Sequence, residues 1–219
     1  MTADSTPVPP ADPFGITLTY RHAHRWWFDA DDAPESWSVS ADVFDDSGTQ
    51  VLTHVADMHI VIVDLFDTRD PFSLLDDESA DLGTVAGVIF DPGSSRLAPD
   101  LEQQLEPLGD RVLILDSVRL PSEWRGFGLG ALLAGTAIKK LSGGVRAAVC
   151  YPAPINDHND DELPEAENQR ARAVLGRVWG QLGFEHFRGG VYVIDLNLIT
   201  LDENLQHLRK TAERHRCGD

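Results

Sequence analysis

Residues 120–131 read Leu-Pro-Ser-Glu-Trp-Arg-Gly-Phe-Gly-Leu-Gly-Ala, between an apolar run and a helix-like stretch. Glycines at 126, 128 and 130 are costly in backbone entropy, and they let the main chain approach a ligand with no Cβ in the way. A strand, a glycine turn and a helix N-terminus bring several unpaired amides to one spot, where the helix dipole favours negative charge. That is the chemistry of a cradle for phosphate or diphosphate, with Arg125 at its lip as a charged donor. The same glycines would also let the helix pack closely on its strand, and spacing alone leaves both readings open. Gly126-x-Gly128-x-x-Ala131 fits the dinucleotide fingerprint, but its context does not. Five residues separate the strand from Gly126, and no acid lies in residues 145–151, where the next strand ends. The Gly-Lys-Ser/Thr of a Walker loop is absent.

Two further groups could handle protons. Asp116 interrupts the apolar run Arg-Val-Leu-Ile-Leu-Asp-Ser-Val-Arg-Leu, and regular strand alternation puts it on the side of Val118 and Leu120. Its alternatives are an ion pair with Arg119 or Arg111. Tyr151 closes the next apolar run, 145–151. His22 and His24 share one face of a strand and His59 lies on another; no third ligand has suitable spacing, so no metal site is expected. Trp26 and Trp27 are expected in the core. Cys150 and Cys217 form neither a disulfide framework nor a metal spacing, which points to a reducing, cytoplasmic setting.

The elements that must position these residues follow from periodicity and turn signals. Strands are expected over 15–28, 36–44 and 49–66, the last bulged near Ala56–Asp57. One helix is expected over 70–91, carrying Leu74, Leu75, Leu82, Val85 and Ile89, and a short one over 99–107. Then come a strand over 111–120, a helix over 129–141 ended by Gly143-Gly144, a strand over 145–151, a helix over 168–182 and a strand over 190–198. Thr200 with Glu203 makes a capping box for a C-terminal helix. Residues 1–13 read as a disordered lead-in, 14–199 as one domain and 200–219 as the terminal helix; the acidic, proline-containing run 157–167 reads as an exposed loop. This order indicates an α/β or α+β fold.

The 219 residues carry a formal net charge of −18. The whole excess lies in residues 1–110, which contain no lysine. Such a surface argues against a nucleic-acid partner and for an approach path suited to a cationic small molecule. No run reaches the ~20 apolar residues of a membrane span, so no membrane partner is expected, and the first residues lack the pattern of a secretory signal.

Arg125-x-x-Gly128-x-Gly130, preceded by Leu120-Pro121-Ser122-Glu123-Trp124, resembles the signature of the GNAT family of N-acetyltransferases. Trp179-Gly180-Gln181-Leu182-Gly183-Phe184 resembles the end of the family's next helix, and Val191-Tyr192-Val193 its closing strand. The resemblance covers residues 111–198. It implies an α/β fold with a mixed, strongly twisted sheet, helices on both faces and two central strands that splay apart. It implies acetyl-CoA, or another short acyl-CoA, as co-substrate, no metal, and transfer of the acyl group by direct attack of an amine, here on a small acceptor. By the same resemblance the backbone around Arg125, Gly126, Phe127, Gly128, Gly130 and Ala131 would hold the diphosphate, and the strand edge at Val118 and Leu120 would pair with the pantetheine arm. Cys150 and Tyr151 would face that edge across the gap. Asp116 would order a water or act as base. The family's usual tyrosine acid falls at Trp179, which has no such proton, so Tyr151 is the substitute. That departure also fits a second reading, a catalytically weak or inactive domain that binds acyl-CoA as a sensor. Homodimers are common in the family.

Overall fold

The computed structural model describes residues 8–92, 96–153 and 165–217. Strands β1 (Ile16–His22), β2 (Glu35–Phe44) and β3 (Val51–Asp64) form an antiparallel meander. Its β2–β3 turn is tied by Asp45, whose carboxylate accepts from the amides of Thr49 and Gln50, with Gly48 in the left-handed region at φ +69°. Helices α1 (Pro71–Glu78), α2 (Ala80–Ile89) and α3 (Pro99–Glu102) precede β4 (Arg111–Arg119). Helix α4 (Leu129–Leu141) leads to β5 (Val145–Cys150), and α5 (Glu165–Gly180), β6 (Glu185–His186), β7 (Tyr192–Asp195) and α6 (Thr200–Cys217) complete the chain. The sheet order is β1-β2-β3-β4-β5-β7-β6. Among the described residues only β4 and β5 run parallel, and every other pair is antiparallel. The expected mixed, twisted sheet with helices on both faces is therefore what the chain forms.

Two apolar layers flank it. On one face Val39, Met58, Ile60, Leu113 and Leu115 pack with α4, with Trp179 and Leu182 at the end of α5, and with Leu201 and Leu205 of α6. On the other, Val61, Val63, Val112, Ile114 and Val149 pack under α1, α2 and α3. Arg146 is buried beneath the second layer because its guanidinium donates to the carbonyls of Glu106 and Leu105, at 2.8 and 3.2 Å.

Several elements depart from their expected bounds. The helix expected over 70–91 is two, broken at Ser79, which is extended at φ −165° and ψ 155°. The acidic run Asp76-Asp77-Glu78 opposes the negative end of the α1 dipole, and the Ser79 hydroxyl accepts from the Leu82 amide, starting α2 anew. Strand β1 stops at His22 rather than at 28, so Trp26 and Trp27 leave the sheet and are 85% and 60% exposed, not in the core. The short helix ends at Glu102, β7 is confined to Tyr192–Asp195, and Thr200 lies inside α6 rather than capping it. Most of the run 157–167, and residues 1–7 of the lead-in, lie outside the described residues.

Candidate functional site

The turn before α4 is built around Trp124, which is fully buried in the first apolar layer. A single turn of 3-10 helix, Ser122–Trp124, is closed by the Trp124 amide on Pro121 O and the Arg125 amide on Ser122 O. Arg125 folds back so that Nε donates to Leu120 O at 2.8 Å. Gly126 and Gly128 both adopt positive φ, +88° and +73°, and a Cβ built on either meets no atom within 4 Å. Gly128 is the N-cap of α4 and makes no side-chain cap hydrogen bond. The space beside the two glycines is thus open at the positive end of a helix dipole, as an anion cradle requires. Gly130 is different: it lies within α4, where an added Cβ would make ordinary contact with Leu120 at 3.8 Å. Phe127 is half-buried against the first layer and Ala131 is buried in it. The Trp124 indole Nε1–H, also buried, has no hydrogen-bond partner among the described residues, an arrangement that costs about 1–3 kcal/mol when left unmet.

Next to this turn the two parallel strands part. The β4–β5 register runs from Arg111↔Val145 to Leu115↔Cys150 and stops there. β4 continues to Arg119 and keeps pairing with β3, up to Asp57↔Arg119. The edge of residues 116–119 that faces away from β3 therefore has no strand partner among the described residues. This is the expected splay, with Val118 and Leu120 on one side and Cys150 and Tyr151 on the other.

A bulge sits where the splay begins. His59 pairs with Ser117 and Ile60 with Leu115, so Asp116 is an extra residue on β4. Regular alternation fails there. Leu113, Leu115, Val118 and Leu120 all pack on the α4 face, while Asp116 turns to the opposite face and meets His59. This corrects the expectation that Asp116 shares a side with Val118 and Leu120. It also meets neither Arg119 nor Arg111, the latter being paired with Glu35. His59 Nδ1 lies 2.8 Å from Asp116 Oδ2, and His59 Nε2 lies 2.8 Å from Ser36 Oγ. Ser36, His59 and Asp116 thus form a continuous chain across β2, β3 and β4, and their side chains are only partly buried.

Tyr151 packs on the same face as this chain, against the second apolar layer. The Arg172 guanidinium stands 4.8 Å over its ring. The two residues singled out as proton-handling groups, Asp116 and Tyr151, therefore flank the splay on the face opposite the cradle. Cys150 points the other way, into the first layer, where burial pushes its thiol far up and removes it as a nucleophile. Trp179 is 7% exposed and packs edge-on against Phe184. His22 does not pair with a carboxylate; its Nδ1 is hydrogen-bonded to Ser36 O and its ring stacks on Trp37. Sequence reasoning missed the His59–Asp116 contact because it depends on one unpaired residue, and missed Ser36 altogether because a serine in an alternating strand carries no signal.

No protein-family model matches the chain, and no curated protein does. Solved structures do. A tyrosine-to-phenylalanine mutant of the AtaT toxin, bound to the C-terminus of the antitoxin AtaR and to acetyl-CoA, is similar at 10% identity and TM-score 0.39, over 87% of this chain and 97% of that one. AtaT complexed with acetyl-methionyl-tRNA is similar at 10% identity and TM-score 0.40, over 85% and 99%. SsHAT is similar at 21% identity and TM-score 0.31, over 71% and 69%. At these values the likeness is one of fold. The expectation of a small-molecule acceptor and no nucleic-acid partner is corrected here, since AtaT is solved with an acylated tRNA and with a protein antitoxin. That expectation rested on the acidic excess of residues 1–110. The field at a site depends on the local distribution, and residues 111–219, which build the cradle, carry as many Lys and Arg as Asp and Glu.

Proposed function

We propose that this chain is an acyl-CoA-dependent N-acyltransferase, with the acyl carrier's diphosphate on the α4 N-terminus and its thioester between β4 and β5. The single observation that carries the reading is the juxtaposition of two features. The uncapped α4 N-terminus with its two left-handed glycines directly follows the strand whose outer edge is unpaired from residue 116 onward. An extended pantetheine arm needs such an edge, at Val118 and Leu120, for its amides. Arg125 and the amides of Gly126 to Ala131 hold the diphosphate. The amine arrives on the opposite face, where Asp116 accepts its proton as the C–N bond forms and the C–S bond breaks, and the Tyr151 hydroxyl protonates the departing sulfur. Acetyl is the acyl group to try first, and the acceptor is defined only as an amine.

Calorimetric titration with acetyl-CoA tests the donor site. Micromolar binding in the native chain, lost at least tenfold in Arg125→Glu, is expected; no heat and no thermal shift at millimolar acetyl-CoA would remove the reading. A second reading, a domain that binds acyl-CoA without turnover, is favoured by one observation: Trp179, at the position of the family's usual acid, is packed into the core. Release of free CoA thiol over a panel of amines, aminoacylated RNA included, separates the two.

A further inference from the structure

We infer that Ser36, His59 and Asp116 form a nucleophile–base–carboxylate set able to open carboxylic esters through an acyl-serine, on the face opposite the acyl-CoA diphosphate cradle and sharing Asp116 with the proposed acyl-transfer step. Both contacts use the nitrogens such a set needs: Nε2 to the hydroxyl at 2.8 Å and Nδ1 to the carboxylate at 2.8 Å. A carboxylate only accepts, so Nδ1 carries the proton and the neutral ring offers Nε2 as acceptor to the Ser36 O–H. The three residues lie on three neighbouring strands, β2, β3 and β4, which fixes their separation more firmly than loops do. His59 and Asp116 side chains are 33% and 21% exposed, so a small ester has access. The Ser36 carbonyl accepts from the His22 ring at 2.8 Å and therefore faces β1. In an antiparallel ladder a residue's amide points the same way as its carbonyl. The Ser36 N–H accordingly lies at the end of the β1–β2 ladder, whose last pair is His22↔Trp37, and it is the donor for the developing oxyanion.

The step balances. Ser36 Oγ bonds to the acyl carbon as its proton moves to His59 Nε2. The C–O bond to the leaving alcohol breaks, and His59 returns that proton to the alcohol. Water then enters by the same route, giving a carboxylic acid and free Ser36. Asp116 touches neither substrate nor reacting atoms here and acts as the positioning residue. A polar ladder with a purely structural role predicts none of this chemistry.

The test treats the full chain with a fluorophosphonate probe and with p-nitrophenyl acetate, and maps adducts by peptide mass. One adduct on Ser36 and a burst of p-nitrophenol are expected. Ser36→Ala should abolish both, His59→Gln should slow labelling at least a hundredfold, and free imidazole should restore part of the rate in His59→Ala, a rescue that a structural role would not show. The nitrogen chemical shifts of the His59 ring should report a proton on Nδ1. An adduct on another serine, no adduct, labelling unaffected by His59→Gln, or a proton on Nε2 would overturn the inference. Arg125→Glu separates this site from the proposed donor site: it should lose acetyl-CoA and keep Ser36 labelling, and Ser36→Ala should keep acetyl-CoA and lose the label; acetyl-CoA binding with no adduct on Ser36 in the native chain would leave the acyltransferase reading standing alone.

Discussion

Gly128→Ala weighs the cradle directly, because the fold supplies a matched control. Gly128 has φ +73° and Gly48 has φ +69°, and a Cβ on either meets nothing within 4 Å. Each alanine must therefore bear the left-handed backbone cost of about 1–2 kcal/mol, offset by about 0.4–1 kcal/mol from a stiffer unfolded chain. Both variants should lose about 1 kcal/mol, a fall of about 2–4 °C in Tm for a chain of this size. Only Gly128 stands at the uncapped end of α4. There a methyl group fills the space from which an anion would approach, and it displaces one or two charge-assisted amide bonds worth about 1.5–3 kcal/mol each. At about 1.4 kcal/mol per decade, acetyl-CoA affinity should fall at least tenfold in Gly128→Ala and stay at the native value in Gly48→Ala. Paired thermal melts and calorimetric titrations read both quantities. Equal affinity in the two variants would refute the cradle, whatever their melting temperatures.

Two other perturbations probe the frame around the site. Gly135 lies mid-helix in α4, and its added Cβ would stand 2.5 Å from Leu182 Cδ2 and 2.8 Å from Leu205 Cδ2. Overpacking of about 1–3 kcal/mol outweighs a helix-propensity gain of about 1 kcal/mol, so Gly135→Ala should destabilise, and Gly135→Ala combined with Leu182→Ala should lose less than the two single losses together in denaturant melts. His54 is raised above its ordinary value of 6.5, chiefly by its hydrogen bond to Asp42 and then by Asp57. A raised imidazole contributes stability that is complete below its unfolded value and is lost as pH rises through the folded one. The native chain should therefore lose stability relative to His54→Gln on going from mildly acidic to alkaline buffer, and parallel curves would show that the pair contributes nothing.

Local pattern was enough to read the β2–β3 hairpin, helix 129–141 and the apolar strands β4 and β5, because each is specified by its own periodicity and by turn residues such as Asp45 and Gly48. The left-handed turn before α4 was legible for the same reason: glycines at 126 and 128, set between a strand and a helix, signal a left-handed backbone by residue type alone. What stayed hidden depends on partners distant in sequence. Strand β1 carries an extended pattern through Trp27, but pairing with β2 ends at His22↔Trp37, and nothing local to residues 23–28 records that. The break at Ser79 turns on a contest between a continuous apolar stripe and an available cap, which periodicity alone does not decide. Asp116 is the sharpest case. Its residue type was legible and its face was not, since the face is set by a mismatch of one residue against β3.

That mismatch makes the site possible. A regular β4 could send Asp116 toward His59 or send Val118 and Leu120 toward α4, but not both, because alternation would put all three on one side. The extra residue reverses the phase once, at the point where β5 leaves. Upstream, Leu113 and Leu115 pack on the α4 face; downstream, Val118 and Leu120 return to it, and Asp116 lies on the opposite face with Val112 and Ile114. The apolar side chains of Val118 and Leu120 and the polar chain Ser36–His59–Asp116 consequently stand on opposite faces of one short stretch of strand, Asp116 to Leu120. The bulge is therefore the element that lets both sets keep their faces: without it, either Val118 and Leu120 would leave the α4 face or Asp116 would leave His59.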